Sequence, residues 1–303
     1  MDANTAQAGI WKWKANVHVT GTVRLSQGGI ATGRKPRLND TALDLIDSTT
    51  YPIHRPGSAT YSALVARCRD DLAAQGACLL PGFVTEEARV RMVAEVDRAA
   101  PSAFPCRNAH NVYLEEHDGA FPPDHPRRRL QATDLDSVAF DQMRPTDGLH
   151  QLYSWDPLLS FLADVLNKEH YYRMADPFAA LTVNVMREGQ NHGWHFDESE
   201  ATTTLMVQAP EEGGVFEYAP NVRPEEGGSY DTVERVLRGS YPDVRTLAVK
   251  PGTLILFVGY HSMHQVTPVK GPVTRYVATF CYKDRPNVCN SPEVQKLFYG
   301  RTA

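Results

Sequence analysis

The chain has 303 residues, of which 42% are hydrophobic and 22% charged, a composition typical of folded globular domains. The 31 Lys and Arg residues face 36 Asp and Glu residues, and the formal net charge of -5 leaves no basic excess for nucleic acid or an anionic membrane surface. No apolar run approaches the roughly 18 residues of a membrane helix, and no secretory signal is visible. Five cysteines without a C-x-x-C pair favour free thiols in a reducing cytosol. We therefore predict a soluble, cytoplasmic protein with neither nucleic acid nor membrane as partner; the sequence leaves its oligomeric state open.

The N-terminal part divides into an extension and a helical layer. Residues 1–50 show no sustained periodicity and are predicted to be an extension, followed by a single domain over residues 51–303. Helical spacing begins after Ser58, and Gly76 stands where a glycine would end the helix. A short strand at residues 78–80 and a helix from Thr85 to about Ala99 complete a helix–strand–helix unit.

The rest of the chain is predicted to be a loop region followed by a β-rich core. Residues 101–150 are rich in Pro, His and Arg and lack a clear period, which predicts a long structured loop region. Asp156-Pro157 is a strong helix start. Strands are predicted at residues 179–186, 202–208, 215–218, 245–250, 253–258 and 275–282, with a short helix at 231–239. The fold class is therefore α+β, mainly β, with a double-stranded β-helix (jelly-roll, cupin-like) core at about residues 170–285 behind supporting helices.

The most informative segment is 191–198, with the sequence NHGWHFDE. In an extended chain, residues i and i+2 share a face about 6.6 Å apart, so His195 and Asp197 can reach one metal ion. One H-x-D triplet is expected by chance in a chain of this composition, so the pair alone is weak evidence.

A second segment strengthens the case for a metal site. Residues 264–269 have the sequence HQVTPV, and Arg275 lies 11 positions after His264. A later strand of the same barrel can bring His264 to the metal, which completes the two-His-one-carboxylate set that suits Fe(II). The guanidinium of Arg275 can then hold the distal carboxylate of a cosubstrate. His261 competes with His264 as ligand, but the H-x-V-x-P context and the spacing to Arg275 favour His264.

With these residues the sequence resembles the Fe(II)/2-oxoglutarate-dependent oxygenases. Over residues 176–282, and more weakly from about Tyr51, it also resembles the branch of carrier-independent amino-acid halogenases and hydroxylases. That narrower resemblance is carried by WHFD at 194–197, EGGVFEY at 212–218 and HQVTPV at 264–269. The resemblance implies Fe(II) at His195, Asp197 and His264, 2-oxoglutarate at Arg275, and O2 as the second cosubstrate. In the halogenases of this branch a small residue replaces the metal carboxylate, so Asp197 disfavours halogenation.

The reaction implied by the resemblance converts 2-oxoglutarate and O2 into succinate and CO2 while an unactivated C–H bond of the substrate is oxidised. A free amino acid or a close derivative is the expected substrate, and hydroxylation is the expected outcome. Desaturation or cyclisation, for example aziridine-type ring closure, would begin with the same hydrogen abstraction, and a peptide or protein side chain is an alternative substrate. The non-enzyme alternative is a cupin-like binding module, which would leave Arg275 without a cosubstrate to hold.

The resemblance also implies candidate substrate residues, because His192 and Glu198 lie where the amino-acid-acting branch contacts its substrate and Asp176 precedes the barrel at a similar place. Asp176 and Glu198 would suit an ammonium group. Arg127, in the run 127–129, would suit a carboxylate with support from His192. Each has a structural alternative: Asp176 precedes a proline and fits a turn, the arginines fit a solvated run, and His192 fits a hydrogen bond to backbone.

Overall fold

The structure is a computed structural model that describes residues 42–115, 119–226 and 228–303. Most of the predicted extension, residues 1–41, lies outside the described residues, and its boundary stays a prediction. Residues 42–50 are described and pack with the domain that follows. Leu45 is buried in the main core, and Ile46 forms a β-bridge with Val84.

The predicted helix–strand–helix unit is confirmed. Helix α1 (Ala59–Gln75) begins after Ser58, whose side chain accepts from the Tyr61 amide, and it ends at Gly76, which has a φ of 74°. Strand β1 (Ala77–Leu80) follows. Helix α2 (Glu86–Ala99) begins after Thr85, whose hydroxyl accepts from the Ala88 amide. Both helix starts are therefore set by side-chain caps that the sequence shows.

Four further α-helices follow in the described part of the chain, two of which the sequence predicted. They are α3 (Gly148–Ser154), α4 (Asp156–Val165), α5 (Asp231–Leu237) and α6 (Pro292–Tyr299). Helices α4 and α5 were expected. Helix α6 was not, although Ser291 accepts from the Val294 amide at its start and Gly300 ends it. Among the described residues, none of the helices is long and apolar enough to cross a bilayer.

The strands form two facing antiparallel sheets. The strands after β1 are β2 (Phe104–His110), β3 (Gln131–Val138), β4 (Tyr172–Arg173), β5 (Leu181–Met186), β6 (His192–His195), β7 (Thr202–Gln208), β8 (Glu212–Gly213), β9 (Phe216–Ala219), β10 (Arg245–Leu247), β11 (Leu254–Phe257), β12 (Met263–Val266), β13 (Val269–Lys270), β14 (Arg275–Phe280) and β15 (Tyr282–Lys283). The larger sheet has the order β1-β11-β7-β14-β5-β3-β2 and the smaller β10-β9-β12-β6. Two short pairs, β13-β8 and β15-β4, complete the set. This arrangement confirms the mainly β, double-stranded β-helix prediction.

The expectation of a loop over residues 101–150 is wrong. Strands β2 and β3 lie within it and pair in register from Phe104 opposite Ser137 to His110 opposite Gln131. Strand β3 also pairs with β5, so the hairpin extends the larger sheet. Strand β2 lies at the sheet edge and exposes most of its side chains. Its sequence therefore lacks the alternation of apolar and polar residues that marks a half-buried strand.

The two faces of the larger sheet have different roles. On one face, Leu181, Val183 and Val185 belong to the main hydrophobic core together with residues of α1, α2 and α4. Because successive side chains of a strand point to opposite faces, Thr182 and Asn184 lie on the other face. These two residues line a cavity whose other walls include residues of the smaller sheet. The helices thus support the sheet, and the site lies between the sheets.

Candidate metal centre and substrate cavity

Strand pairing brings the two predicted histidine ligands together. His195 on β6 lies directly opposite His264 on β12, with ring centroids 4.1 Å apart. Asp197 follows β6, and its Oδ1 lies 3.8 Å from His195 Nε2 and 3.5 Å from His264 Nε2. One ligand atom from each of these residues lies within 4.8 Å of the other two. The three side chains could therefore hold one metal ion.

Backbone carbonyls fix the orientation of both imidazoles. His195 Nδ1 donates to the carbonyl of Gly193 at 2.8 Å, and His264 Nδ1 donates to that of Ser262 at 3.0 Å. With Nδ1 carrying the proton, Nε2 of each ring keeps its lone pair for a metal. Burial lowers the pKa of His195 to about 3, which keeps the ring neutral at physiological pH. The donor set fits a metal ion.

Asp197 is held as an anion with one oxygen toward the histidines. Its Oδ2 accepts from the Thr202 hydroxyl at 2.6 Å, while Oδ1 faces His195 and His264. Burial opposes ionisation, but the neighbouring histidines and the Thr202 hydrogen bond hold the pKa of Asp197 well below its usual value. A carboxylate fixed in this way provides a single oxygen ligand beside two nitrogens.

The structure separates the two histidines that competed for the third position. His261 is exposed and is not part of the cluster, whereas His264 is buried within it. The backbone carbonyl of His261 accepts from the Arg223 amide at 3.1 Å. Its place in the chain, three residues before His264, puts it in the turn that precedes β12 rather than on the strand.

Arg275 presents a buried cation without an anionic partner among the described residues. It is 4% exposed, its Nε has no hydrogen-bond partner there, and its Nη1 donates a hydrogen bond to the sulfur of Met186 at 3.5 Å. Burial lowers the pKa of Arg275 to about 10, so the group stays charged at neutral pH. A buried charge is costly unless it is paired. The site therefore fits a carboxylate ligand such as the distal end of 2-oxoglutarate.

A cavity of about 250 Å³ connects these groups. It is lined by the three candidate metal ligands and Arg275 together with side chains from both sheets, among them Thr182, Asn184 and Phe216. Helix α6 closes part of it through Val294 and Phe298. Pockets for drug-sized ligands run from about 300 to 1,000 Å³, so this cavity is small.

The structure divides the four predicted substrate residues into two pairs. His192 and Glu198 line the cavity, whereas Asp176 and Arg127 do not. The ring of His192 stacks on His195 with centroids 4.0 Å apart, and its Nε2 is buried without a partner among the described residues. Glu198 is exposed at the cavity.

Asp176 is 1% exposed and its carboxylate is fully hydrogen-bonded. Oδ1 accepts from the amides of Phe178 and Ala179, both at 2.8 Å. Oδ2 accepts from the Asn290 amide at 2.9 Å and from Gln295 Nε2 at 2.8 Å. These bonds hold the pKa of Asp176 below its ordinary value although burial opposes ionisation. In this structure the carboxylate anchors the segment that leads into α6.

Arg127 also has partners of its own. Its guanidinium forms an ion pair with Glu115, donates from Nε to Tyr230 Oη at 3.0 Å, and lies 4.7 Å from the centre of the Tyr113 ring. Its charge is therefore already balanced within the chain.

The sequence analysis did not single out several polar residues of the cavity, among them Ser199, Thr202 and Lys283. A signal was present for two of them. Thr202 begins a predicted strand, and Lys283 lies eight residues after Arg275, an even spacing that places both on one face of an extended chain.

Comparison with known proteins gives the family. A family model described as "HalD: Halogenase D" matches residues 61–296. No curated protein is similar enough to this sequence to match. Among solved structures, the non-haem α-ketoglutarate-dependent epimerase SnoN of nogalamycin biosynthesis is 15% identical with a TM-score of 0.53, over 74% of this chain and 82% of that chain. The carbocyclase SnoK of the same biosynthesis is 15% identical with a TM-score of 0.52, over 78% and 92%.

A third structure, AviO1 from Streptomyces viridochromogenes Tue57, is 13% identical with a TM-score of 0.50, over 74% of this chain and 96% of that chain. SnoN has also been solved with Fe3+, α-ketoglutarate and nogalamycin RO. Identities of this size show a shared fold, and the family match covers most of the chain. The chain therefore belongs to the Halogenase D family and shares its fold with the α-ketoglutarate-dependent enzymes SnoN and SnoK.

Proposed function

We propose that this protein hydroxylates an unactivated C–H bond of a free amino acid or a close derivative. His195, Asp197 and His264 would hold Fe(II), and Arg275 would hold 2-oxoglutarate. The bound iron, with 2-oxoglutarate and O2, supplies the oxidising chemistry and yields succinate and CO2. The observation that carries the proposal is the position of Asp197 Oδ1, which faces the Nε2 atoms of both histidines at 3.8 and 3.5 Å.

The carboxylate of Asp197 supports hydroxylation over halogenation, although the family takes its name from halogenases. A two-His-one-carboxylate set leaves three open positions on Fe(II). Two of these would be taken by 2-oxoglutarate and one by O2, so no position remains for a chloride ion. Chloride should therefore not enter the product.

The buried wall around Arg275 supports its role in holding 2-oxoglutarate. A distal carboxylate would satisfy the charge of the guanidinium and its unpaired Nε. The cavity of about 250 Å³ is small and suits a substrate of about the size of an amino acid. The unpaired Nε2 of His192 gives the substrate one fixed hydrogen-bonding group close to the metal ligands.

The proposal is tested by purifying the protein anaerobically, loading it with Fe(II), and assaying a panel of amino acids and derivatives with 2-oxoglutarate, O2 and chloride. Succinate release is measured together with product mass. A gain of one oxygen supports the proposal. A loss of two hydrogens would instead indicate desaturation or cyclisation, and a chlorinated product would contradict the argument from Asp197. His264→Ala should abolish turnover, whereas the matched variant His261→Ala should retain it.

A further inference from the structure

Lys283 is a cation at the cavity wall whose partner is neutral. Its Nζ donates to the Ser199 hydroxyl at 2.6 Å, and both residues line the cavity. Within the described ranges, no carboxylate oxygen lies within 4.0 Å of this ammonium group. By contrast, Lys168 pairs with Glu200 and Lys270 with Glu212. A lysine ammonium has three donors, so Lys283 can accept a further, anionic partner.

Lys283 and Arg275 line the same cavity and lie eight positions apart in the chain. Both belong to the continuous segment formed by β14 and β15, and they line the cavity together with Val277, Thr279 and Cys281. Eight extended residues span at most about 26 Å between the two Cα atoms. The two cations can therefore serve two separate anions: the cosubstrate carboxylate at Arg275, and a second anion at Lys283.

The second anion would lie close to the metal ligands and beside an acidic group. Ser199, which contacts Lys283, is two residues after Asp197. Glu198 lies between them, lines the same cavity, and forms no ion pair with any described residue. The cavity wall thus carries a positive group, Lys283, in contact with Ser199, and a negative group, Glu198, directly before Ser199 in the chain.

We propose that Lys283, positioned by Ser199, binds the α-carboxylate of the substrate, while Glu198 binds its α-ammonium group. This assignment rests on the proposed function and narrows it. A free α-amino acid carries both charges on one carbon, whereas both groups are amides within a peptide. The pair at Lys283 and Glu198 would therefore select free amino acids against peptide substrates, and it places the selecting groups next to Asp197.

The test compares L-amino acids with their α-carboxamides. Binding to the anaerobic holoenzyme with Fe(II) and 2-oxoglutarate is measured by calorimetry, separately from turnover. A hydrogen bond to a charged group stabilises a complex more than one to a neutral group. The wild type should therefore bind the acid about 10- to 150-fold more tightly than the carboxamide. Lys283→Met should remove this preference and Lys283→Arg should keep most of it. Lys270→Met, at an exposed lysine outside the cavity, is the matched control and should behave as wild type.

The outcomes separate the two proposals. If Lys283→Met folds, as shown by an unchanged melting temperature, and still prefers the acid, the assignment of Lys283 is overturned. Binding of peptides with blocked termini as tightly as free amino acids would also overturn it. If the acid binds in a Lys283-dependent manner but no succinate forms, the binding site stands and the proposed function fails. If no amino acid binds, both fail.

Discussion

A Cβ atom added at Gly259 would lie 1.8 Å from Asp197 Oδ2, so the carboxylate occupies space that only glycine leaves free at that position. The backbone of the two residues is also joined, because the Asp197 amide donates to the Gly259 carbonyl at 3.1 Å. Together with Thr202, which donates to Oδ2 at 2.6 Å, Gly259 fixes Asp197 against the turn that follows β11. The position of the carboxylate ligand thus depends on a segment about 60 residues further along the chain.

Gly259→Ala should therefore damage the metal site. The added methyl group would displace the Asp197 carboxylate, and we expect the affinity for Fe(II) to fall about 10- to 100-fold, as is common when groups that orient metal ligands are changed. Anaerobic Fe(II) titration measures the effect. Gly119→Ala is the matched control, because a Cβ there meets nothing within 4 Å. Equal Fe(II) affinity in the two variants would show that Gly259 does not position Asp197.

Arg275→Ala should weaken the binding of 2-oxoglutarate. Loss of one partner of a buried charge pair costs about 2–5 kcal/mol, or roughly 30- to several-thousand-fold in affinity. Anaerobic titration of 2-oxoglutarate into the Fe(II)-loaded protein gives the dissociation constant. Lys250→Ala and Lys270→Ala, both at exposed lysines, should leave it unchanged. An unaltered constant in Arg275→Ala would transfer the role to another cation.

Asp176→Asn should lower stability rather than substrate affinity. Oδ2 of Asp176 accepts from Asn290 and Gln295, and an amide nitrogen in its place would face these two donors. Each buried donor left unsatisfied costs about 1–3 kcal/mol, so for two donors a loss of about 2–6 kcal/mol in the free energy of unfolding is expected. Urea unfolding measures it, with the exposed Asp70→Asn as control. A variant of normal stability that no longer binds substrate would favour the original ammonium-binding prediction.

Stability should fall as the pH decreases from 7.5 to 5.5. Burial lowers the pKa of His110, outweighing its hydrogen bond to the Asn111 carbonyl, which raises the pKa. Above the unfolded pKa of about 6.5 the neutral ring is present in both states. Below that value the unfolded chain binds more protons, so the folded state loses stability as the pH falls toward the folded pKa.

His110→Gln in the metal-free protein tests this pH dependence. The ring of His110 contacts Thr133 Oγ1 at 2.7 Å, and Thr133 in turn accepts from the Gly193 amide at 3.1 Å. We expect the variant to be less stable at pH 7.5 but to show a shallower decline toward pH 5.5, measured as melting temperature. An equal decline in both proteins would show that His110 does not contribute.

Local sequence determined the parts of this protein that depend on near neighbours. The ends of α1 and α2 follow from Ser58, Gly76 and Thr85, because capping acts within a few residues. His195 and Asp197 were found because alternate residues of an extended chain share a face. Strand β7 was predicted with its observed bounds, since its run of β-branched residues is itself a strand signal.

Tertiary structure decided what depends on the pairing of distant segments. The strand register that sets His264 opposite His195 excludes His261 from the metal-ligand cluster. From the sequence, the spacing to Arg275 only favoured His264 over His261. Packing of α6 against the strands made Asp176 an anchor and buried it. The edge strand β2 gave no local pattern because most of its side chains are exposed. Likewise, only the fold shows that Arg275 and Lys283 line one cavity and that no carboxylate oxygen of the described residues lies within 4.0 Å of either cation. Contacts between residues far apart in sequence are set by the packing of the whole chain, and a local pattern cannot specify them.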